Sequence, residues 1–557
     1  MFNDAIDDQP HSAAAAGFVG MDCNTNPVLL EPGVVADGKN LWCRGDGAIE
    51  TRPGLKVNSA FIRAHLAVYG ASSPDLIIYA AGYYDLPAYE GTVLFTANGA
   101  WVISGSGDDL VAAQIVPGAP IVTAAAGSPL VQMVDRLYYL DAFGRINWLL
   151  YSGGVWSGAT LTTFSSGAAM PVWARIVTQG FRLIAIETGG YKLYASAIGS
   201  ASSGADWVST ENLRVGNGEG DPVKAIVATQ GGYITVLNGR SAYQLATAEP
   251  SVANWSSLQV CRHTGCVEGR TAVVLGQDVF FLSRFGLVSL GALADTVSIA
   301  PQDTLSYPIQ PWIDRINWSA ITNAFATTWR DLYLIALPFD SETLPTRIFA
   351  YHLKLRTWQT PWVYGMSIFT WTGKVGSYDW AGFRNAVVTH FSDRTETLLV
   401  DTHGQFLRID ETTEADQSAA SIASSAPYAA TYTATAIPAI VRTRSFTHDQ
   451  PNARKQPFFV ETEHFDTTAS AVIDTVLLVD GQATVTTAPD TNTVGRVAQL
   501  TATGGIQKKR YLLRGQFYDR TLAPYREASV ELYCAGSKMS VRAIVLSAFI
   551  DPPFFTS

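Results

Sequence analysis

The sequence predicts an all-β fold, a β-propeller-like domain of about six or seven blades followed by a β-sandwich, and three observations support it. Apolar and polar residues alternate with a period of two along most of the chain, as half-buried strands require. Gly, Asn and Asp turns interrupt these runs. Similar units recur at a spacing of about 35 to 60 residues, which is typical of propeller blades. A stacked sandwich is the alternative that this loose spacing leaves open.

Four recurring segments show the unit most clearly. Each has a polar turn, an apolar strand and, in most cases, a glycine that opens the next strand. They are "VDRLYYLDAFGRINWL" (134–149), "GQDVFFLSRFGLVSL" (276–290), "WRDLYLIAL" (329–337) and "RTETLLVDTHGQFLRI" (394–409). From these units we expect the propeller to span residues 59–410.

The rest of the chain divides into three further segments. Residues 1–58 are rich in Gly and Pro, which predicts an extended N-terminal arm that a partner or the rest of the chain must hold in place. Residues 411–430 are dense in Ala and Ser without periodicity, which predicts a linker. Residues 431–557 contain about seven or eight alternating strands, the number expected of a C-terminal β-sandwich.

Composition limits the classes of function. A chain of 557 residues and 60.0 kDa exceeds what one core usually supports, so two or three domains are expected. Only 15% of the residues are charged, against about 25% in an average protein, and large subunit contacts are depleted in charge. The net charge of -10 argues against a general nucleic-acid binder.

The five cysteines and the N-terminus indicate the compartment. The cysteine count is odd and no CxxC pair is present, which argues against a framework of disulfide bonds. We therefore expect synthesis in a reducing compartment. Cys261 and Cys266 bracket His263, but no further ligands follow at zinc-site spacing, which favours ordinary thiols. The N-terminus is acidic where a signal peptide is basic, and no run is long enough for a membrane span.

A search for catalytic motifs finds none. The sequence has no Walker loop, no H-E-x-x-H and no G-x-S-x-G. Paired carboxylates would suit a glycosidase, but the candidates lie at strand turns, where Asp caps backbone amides; they are Asp108, Asp109, Asp141, Asp331, Asp393 and Asp401. We therefore predict no enzymatic activity, no cofactor and no metal site.

Aromatic residues recur along the predicted blades. Flat aromatic side chains can bind sugars, yet tryptophan at one position in each blade is more typical of packing between sheets. Packing is the interpretation we favour for Tyr83, Tyr84, Trp101, Trp148, Trp156, Trp173, Trp207, Trp255, Trp358 and Trp362.

An Arg44-Gly45-Asp46 triplet lies in "CRGDGAIETRPGL". This triplet is a known adhesion tripeptide, but such triplets occur by chance in long chains. The surrounding pattern predicts a strand, a turn at Asp46-Gly47, a second strand and a turn at Pro53-Gly54.

Several segments resemble the packaged-DNA stabilisation family, the propeller-bearing tail hub or nozzle proteins of short-tailed bacteriophages. The segments that carry the resemblance are Arg52-Pro53-Gly54, the strand from Asn238 to Tyr243, the turn at Gly265, "FLSRFGLVSL" (281–290) and the C-terminal run 442–460.

The resemblance implies a structural virion protein, assembled in the bacterial cytoplasm, that forms a homo-oligomeric ring of about six copies around a DNA exit channel. The ring would retain the packaged genome, let DNA pass without specific binding, and contact the portal-side adaptor and tail fibre or needle proteins. Candidate assembly contacts, chosen from composition, are Arg44, Asp46, Arg52, Lys508, Lys509, Arg510 and Arg514. The alternatives are a receptor-binding or polysaccharide-active tail protein with a propeller ligand site, and a carbohydrate-binding propeller unrelated to a virus.

Overall fold

A computed structural model describes most of the chain. The described residues are 11–58, 60–69, 78–86, 89–105, 111–115, 121–189, 191–216, 220–229, 231–294, 303–364, 368–371, 377–379, 383–390, 395–401, 406–413, 415–422, 430–448, 455–464, 467–469, 471–479, 482–483, 496–502, 506–512, 526–534 and 538–550.

The first four blades are antiparallel sheets of four consecutive strands each, because short Gly- and Asp-containing turns join neighbouring strands. Blade 1 comprises Ala80–Leu86, Tyr89–Thr96, Gly99–Ser104 and Val111–Gln114. Blade 2 comprises Val131–Met133, Arg136–Leu140, Ile146–Ser152 and Val155–Thr160. Blade 3 comprises Trp173–Gln179, Arg182–Glu187, Lys192–Ser196 and Trp207–Arg214. Blade 4 comprises Val223–Thr229, Tyr233–Asn238, Ala242–Ala246 and Ser256–Cys261.

The next three blades depart from this simple order. Blade 5 has the three strands Val273–Leu275, Asp278–Ser283 and Gly286–Ser289. Blade 6 comprises Phe325–Trp329, Leu332–Leu337, Arg347–His352, Thr357–Trp358 and Trp362–Val363, and the N-terminal strands Gly20–Met21 and Val34–Val35 extend it. Blade 7 comprises Phe383–His390, Thr395–Asp401, Phe406–Asp410 and the N-terminal strand Gly54–Asn58.

The blades form a closed ring. The first strand of every blade contacts the first strand of the next, and the first strand of blade 7 contacts that of blade 1. Within the described ranges this makes seven blades, so the predicted propeller is confirmed at the upper end of the expected count. Ring closure leaves only short, protected sheet edges, which is how this architecture avoids open edges.

Blade 7 is completed by the N-terminal part of the chain. Gly54–Asn58 runs antiparallel to Phe406–Asp410, with Val57 opposite Leu407 and Leu55 opposite Ile409. Leu55 and Val57 are buried in the core that blade 7 shares with blades 1 and 6. Residues from both ends of the propeller segment therefore close the ring.

The C-terminal part is a β-sandwich, as predicted. Its first sheet, S1, contains Gln507–Leu512, Lys455–His464, Ser540–Ile550, Ile49–Thr51, Leu41–Cys43 and His11–Ala16. Its second sheet, S2, contains Asp37–Lys39, Ala439–Arg442, Ala528–Cys534, Val472–Val479, Gln482–Ala483 and Arg496–Thr501. One apolar core joins Phe18, Leu41 and Ile49 to Val460 and Leu532.

From residue 11 onward, the segment expected to be an arm thus contributes strands to both the propeller and the sandwich. His11–Ala16 pairs with Ser540–Ile550, and Asp37–Lys39 pairs with Ala439–Arg442. The described residues of this segment are held by the rest of the chain, which was one of the two options that its composition left open.

The segment expected to be a linker contains a strand. Ala415–Ile422 pairs with Ala430–Ala436 and, in parallel, with Ile368–Trp371, and Ser377–Asp379 completes this small sheet. The side chains of Ala415–Ile422 are mostly small, so this strand lacks the alternation of large apolar residues by which a strand is recognised in a sequence. This strand is formed by pairing with other strands, which its own sequence pattern does not indicate.

Helices are few. Those among the described residues are Ala60–Tyr69, Leu290–Ala294 and Gln310–Ile313, with 3-10 turns at Gly204–Asp206, Val252–Asn254, Gly269–Thr271, Tyr307–Ile309 and Trp318–Asn323. Within the described segments, no helix has the length and apolar character that a membrane crossing requires.

Most of the tryptophans that were predicted to pack between sheets are buried, whereas Trp148, like Tyr83, is only partly buried. Those buried in blade cores are Trp101, Trp156, Trp173, Trp207, Trp255, Trp358 and Trp362. Trp173, for example, contacts Trp207 with ring centroids 5.9 Å apart. These rings contribute apolar burial inside the propeller and are not exposed platforms.

Candidate functional site

The Arg44-Gly45-Asp46 triplet lies in the turn between two strands of S1. Gly45 and Gly47 have φ angles of +95° and +82°, the left-handed region that favours glycine. Asp46 Oδ1 accepts a hydrogen bond of 3.0 Å from the Ala48 N–H. Arg44 lies 5.0 Å from the Trp42 ring and 3.2 Å from a Glu50 carboxylate oxygen. The predicted strand, Asp46-Gly47 turn and second strand are confirmed, but the turn expected at Pro53-Gly54 is not found, because Gly54 begins the blade 7 strand Gly54–Asn58. Both charged side chains of the exposed turn have contacts within the chain.

Arg52 lies at the junction of the propeller and the sandwich, only 1% exposed. Its guanidinium binds Asp416 through two bonds, one of 2.8 Å to Oδ1 and one of 2.5 Å to Oδ2. It also donates to the Val363 carbonyl of blade 6 at 3.0 Å and stacks 4.0 Å above the Tyr364 ring. A lysine could not reproduce the paired hydrogen bonds to Asp416 or the planar stacking on the Tyr364 ring.

Asn40 completes this junction. Its φ of +59° is a conformation that asparagine tolerates better than most residues. Its side-chain oxygen accepts from Arg52 Nε at 3.1 Å and from the Val363 N–H at 2.6 Å, while its amide donates to the Pro438 carbonyl at 2.8 Å. Asn40, Arg52 and Asp416 therefore connect blade 6, the small sheet and S2; we call these three residues the junction cluster.

The junction cluster corrects the role expected of Arg52. Burial lowers the pKa of its guanidinium, but the Asp416 carboxylate more than offsets this, and the net pKa is raised. The charge is retained inside the protein, where it is paired and hydrogen-bonded. Because so buried a side chain offers no surface to another subunit, Arg52 is an internal contact and not an assembly contact.

The basic cluster lies on Gln507–Leu512, the outermost strand of S1. Lys508 and Arg510 flank Glu461 on the neighbouring strand, at 3.0 and 2.7 Å from its two carboxylate oxygens. Arg510 also lies 4.2 Å from the Phe459 ring. Lys509 is exposed and lies opposite Thr462 in the strand register. Arg514 lies outside the described residues.

The pair of cations sets the protonation of Glu461. Burial raises the pKa of its carboxyl, but hydrogen bonds from Lys508 and Arg510 outweigh this, so the net pKa lies below the ordinary value. A carboxyl whose pKa is lower in the folded protein than in the unfolded protein stabilises the fold at pH values above its unfolded-state pKa, which is about 4.3 for glutamate. This stabilisation is lost as the pH falls through the folded-state pKa.

We expect acid to reduce the urea-unfolding midpoint more steeply in the natural protein than in Glu461→Gln, with the difference confined to pH values below about 4.3. The measurement is the midpoint as a function of pH for both proteins. Parallel profiles would show that Lys508 and Arg510 do not stabilise the Glu461 carboxylate.

A cavity of about 540 Å³ lies where the first strands of the blades meet. Its wall includes Tyr83, Gln132, Arg175, Ile226, Ala272 and Phe325, from blades 1 to 6. Among the described lining residues, the charged side chains are Arg175 and Arg270. Nothing in the sequence pattern marks either arginine, because the cavity is built from residues that the ring closure brings together.

The other sequence candidates have structural roles where they are described. Asp141 Oδ1 accepts from the N–H groups of Phe143 and Arg145, both at 2.9 Å, which confirms the predicted turn cap. Asp331 pairs with Lys354 at 2.7 Å. Asp108, Asp109 and Asp393 lie outside the described residues, as does the side chain of Asp401.

All five cysteines lie within the described residues, and none of them forms a disulfide. Burial raises the pKa of the Cys266 thiol to about 12, and its sulfur donates to the Glu268 carbonyl at 3.1 Å. Such a thiol is unreactive at neutral pH. The part of the chain that the structure describes contains no group of three His, Cys, Asp or Glu side chains placed to hold a metal.

No protein-family model matches the sequence, and no curated protein is significantly similar to it. Among solved structures, the chain is similar to the N-terminal domain of Nup159, with a TM-score of 0.33 and 8% identity over 67% of this chain and 98% of that one. It is also similar to YCF48 from Cyanidioschyzon merolae, with a TM-score of 0.35 and 8% identity over 60% and 96% of the two chains. PorZ, a surface component of the type-IX secretion system of Porphyromonas gingivalis, has a TM-score of 0.33 and 10% identity over 67% of this chain and 43% of PorZ. At these levels of similarity the propeller assignment depends on the chain's own sheet pairing.

Proposed function

We propose that this chain is a structural virion protein of a phage tail, a ring-forming hub or nozzle subunit that builds the DNA exit channel and retains the packaged genome. The sequence resemblance to the packaged-DNA stabilisation family supports this proposal. Arg52, part of one segment that carries the resemblance, belongs to the junction cluster that joins the propeller to the sandwich. Buried contacts between the propeller and the sandwich would make the subunit rigid, as a ring that retains a packaged genome requires.

One structural observation supports ring formation in particular. The outer strand of S1 carries Lys508, Lys509 and Arg510 on an exposed surface of a chain whose net charge is -10. A closed ring needs two different, complementary surfaces on each subunit. We propose that the basic strand meets an acidic surface of the next copy, and that the predominantly acidic chain lets DNA pass through the ring without binding.

Native mass spectrometry of the purified chain, alone and with neighbouring tail proteins, tests the proposal. We expect a ring of fixed copy number, about six, or a complex with an adaptor, tail fibre or needle protein. A monodisperse monomer at high concentration that binds none of these proteins would overturn it.

Charge reversal tests the contact surface separately. Lys509→Glu is expected to shift the ring towards monomers, because it places like charges across the interface. Lys192→Glu, at an exposed lysine of blade 3, is the matched control and is expected to leave the ring intact. Equal dissociation of both variants would argue for a general charge effect and against the basic strand as the contact.

A further inference from the structure

The central cavity combines four features of a ligand site. Its volume of about 540 Å³ lies within the usual range for small-molecule sites, about 300 to 1,000 Å³. Tyr83 and Phe325 supply aromatic surface, and Arg175 and Arg270 supply positive charge. The small side chains of Ala81, Gly82 and other inner-strand residues leave the space open. A cationic cavity is notable in a chain with a net charge of -10, because it concentrates anions against the field of the whole protein.

Arg175 is held in place by irregularities in two neighbouring blades. The strand register shifts between Trp173 and Arg175 in blade 3, and between Val223 and Ala225 in blade 4. The carbonyls of the two extra residues, Ala174 and Lys224, accept from Arg175 Nη1 at 2.9 Å and from Nε at 3.1 Å. Bulges of this kind redirect side chains and recur beside functional sites.

Gly269 allows the close approach that this arrangement needs. A Cβ at this position would lie 2.0 Å from the Lys224 carbonyl oxygen and 3.2 Å from Arg175 Nε. The turn Gly269–Thr271 can therefore approach the bulge of blade 4 only because residue 269 has no side chain. The same turn brings Arg270 to the cavity wall.

Glu268 forms a long ion pair with each of the two guanidinium groups. Its Oε1 lies 3.9 Å from Arg175 Nη2 and 3.8 Å from Arg270 Nε, beyond hydrogen-bond distance. The same oxygen accepts a bond of 3.1 Å from the Arg270 N–H. The Glu268 side chain is 12% exposed and that of Arg175 34%, so the guanidinium is the more accessible group. Two arginines and one glutamate leave a net positive charge, with the Nη2 edge of Arg175 accessible to a ligand.

We propose that this cavity binds a small organic oxyanion, a carboxylate- or phosphate-bearing molecule of about monosaccharide size, through Arg175 and Arg270. Guanidinium groups bind both oxyanions through paired hydrogen bonds. Arg175 is already fixed by the Ala174 and Lys224 carbonyls, and Arg270 Nη2 donates to the Thr322 carbonyl, so both arginines lose little freedom on binding. The site lies within one chain and does not depend on ring assembly, so a monomer would retain it.

Isothermal titration calorimetry of the full chain at low salt tests the proposal with glucuronate, glucose 6-phosphate and glucose. We expect one or both of the anionic sugars to bind and neutral glucose not to bind. Binding of glucuronate alone would assign a carboxylate ligand, and binding of glucose 6-phosphate alone a phosphate ligand. Failure of both anions to bind, or equal binding of glucose, would overturn the proposal and leave the ring assembly untouched.

Two further measurements locate the site. Arg175→Gln is expected to weaken binding by about tenfold to a hundredfold, since it removes a charged hydrogen-bond donor. Arg240→Gln, at an exposed turn of blade 4, is the control and should bind as the natural protein does. Equal weakening in both variants would overturn the assignment.

If Arg175→Gln does not fold, chemical modification of arginines in the natural protein can locate the ligand instead. Phenylglyoxal modifies accessible arginines, and peptide mass spectrometry reads each position in the natural protein. The anionic sugar that binds is expected to protect Arg175, while glucose is expected to leave its modification unchanged. Unchanged modification of Arg175 in the presence of the bound anion would place the ligand elsewhere and overturn the proposal.

Discussion

Arg52→Met is expected to lower the free energy of unfolding by about 3–5 kcal/mol, the usual cost of removing one partner from a buried ion pair. The substitution leaves the Asp416 carboxylate without its bidentate partner. It also removes the donor to the Val363 carbonyl and the cation above the Tyr364 ring. The measurement is urea unfolding followed by tryptophan fluorescence.

The exposed pair Arg315 and Asp340 provides a matched control. It is also bidentate, through Nε and Nη2 with distances of 3.0 and 2.6 Å, but its side chains are 47% and 48% exposed. Because water and salt screen such a pair, Arg315→Met is expected to leave the stability nearly unchanged. Similar losses in the two variants would show that burial of the junction cluster adds nothing.

A double substitution separates charge from packing. Arg52→Met combined with Asp416→Leu removes both charges and is expected to recover part of the stability lost in Arg52→Met, since an apolar pair of similar size avoids the unpaired buried carboxylate. If the double variant is less stable than the single one, the hydrogen bond of 3.2 Å that Asp416 Oδ1 accepts from the Leu55 N–H stabilises the protein by more than the removal of the unpaired carboxylate does.

A chain that begins at residue 59 is expected not to fold into a soluble protein. It lacks the outer strand of blade 7 and strands of both sandwich sheets. The sandwich core would lose the buried Phe18, Leu41 and Ile49, and the core at blade 7 would lose the buried Leu55 and Val57. Exposed apolar surface and unpaired strand edges of this kind promote aggregation. Soluble yield and circular dichroism measure the effect.

Co-expression distinguishes a missing strand from a general folding defect. Residues 1–58 supplied as a separate chain are expected to restore soluble protein, because their contacts are strand pairs and side-chain packing that need no covalent continuity. A truncated chain that is soluble alone and unfolds cooperatively would contradict the proposed closure of blade 7 by the N-terminal strand.

Local features of the fold were predictable because their causes lie within a few residues. The segment 134–149 predicted two strands around a turn, and the structure has Arg136–Leu140 and Ile146–Ser152 with Gly144 at a φ of +70° between them. Alternation, turn glycines and Asp caps act within one hairpin.

Features that depend on distant pairing were not predictable. Asp416 stood in a segment expected to be a linker, yet it binds Arg52, which is 364 residues earlier in the sequence. Asn40, Arg175 and Arg270 carried no signal at all, because each acquires its role from backbone groups far away in the sequence; these are Val363 and Pro438 for Asn40, Lys224 for Arg175 and Thr322 for Arg270. Burial of Arg52 in particular cannot be inferred from an arginine beside a Pro-Gly turn.

The sequence by itself determined the all-β character, the division into repeated hairpins and a sandwich, and the acidic, weakly charged composition, since each follows from residue types and short-range periodicity. Only the tertiary structure decided that the N-terminal strands complete blade 7 and both sandwich sheets, that Arg52 lies inside the protein, and that Arg175 and Arg270 line a central cavity. The reason is physical: ring closure and sheet pairing join residues hundreds of positions apart, and the environment they create is a property of the assembled sheets and not of any short segment.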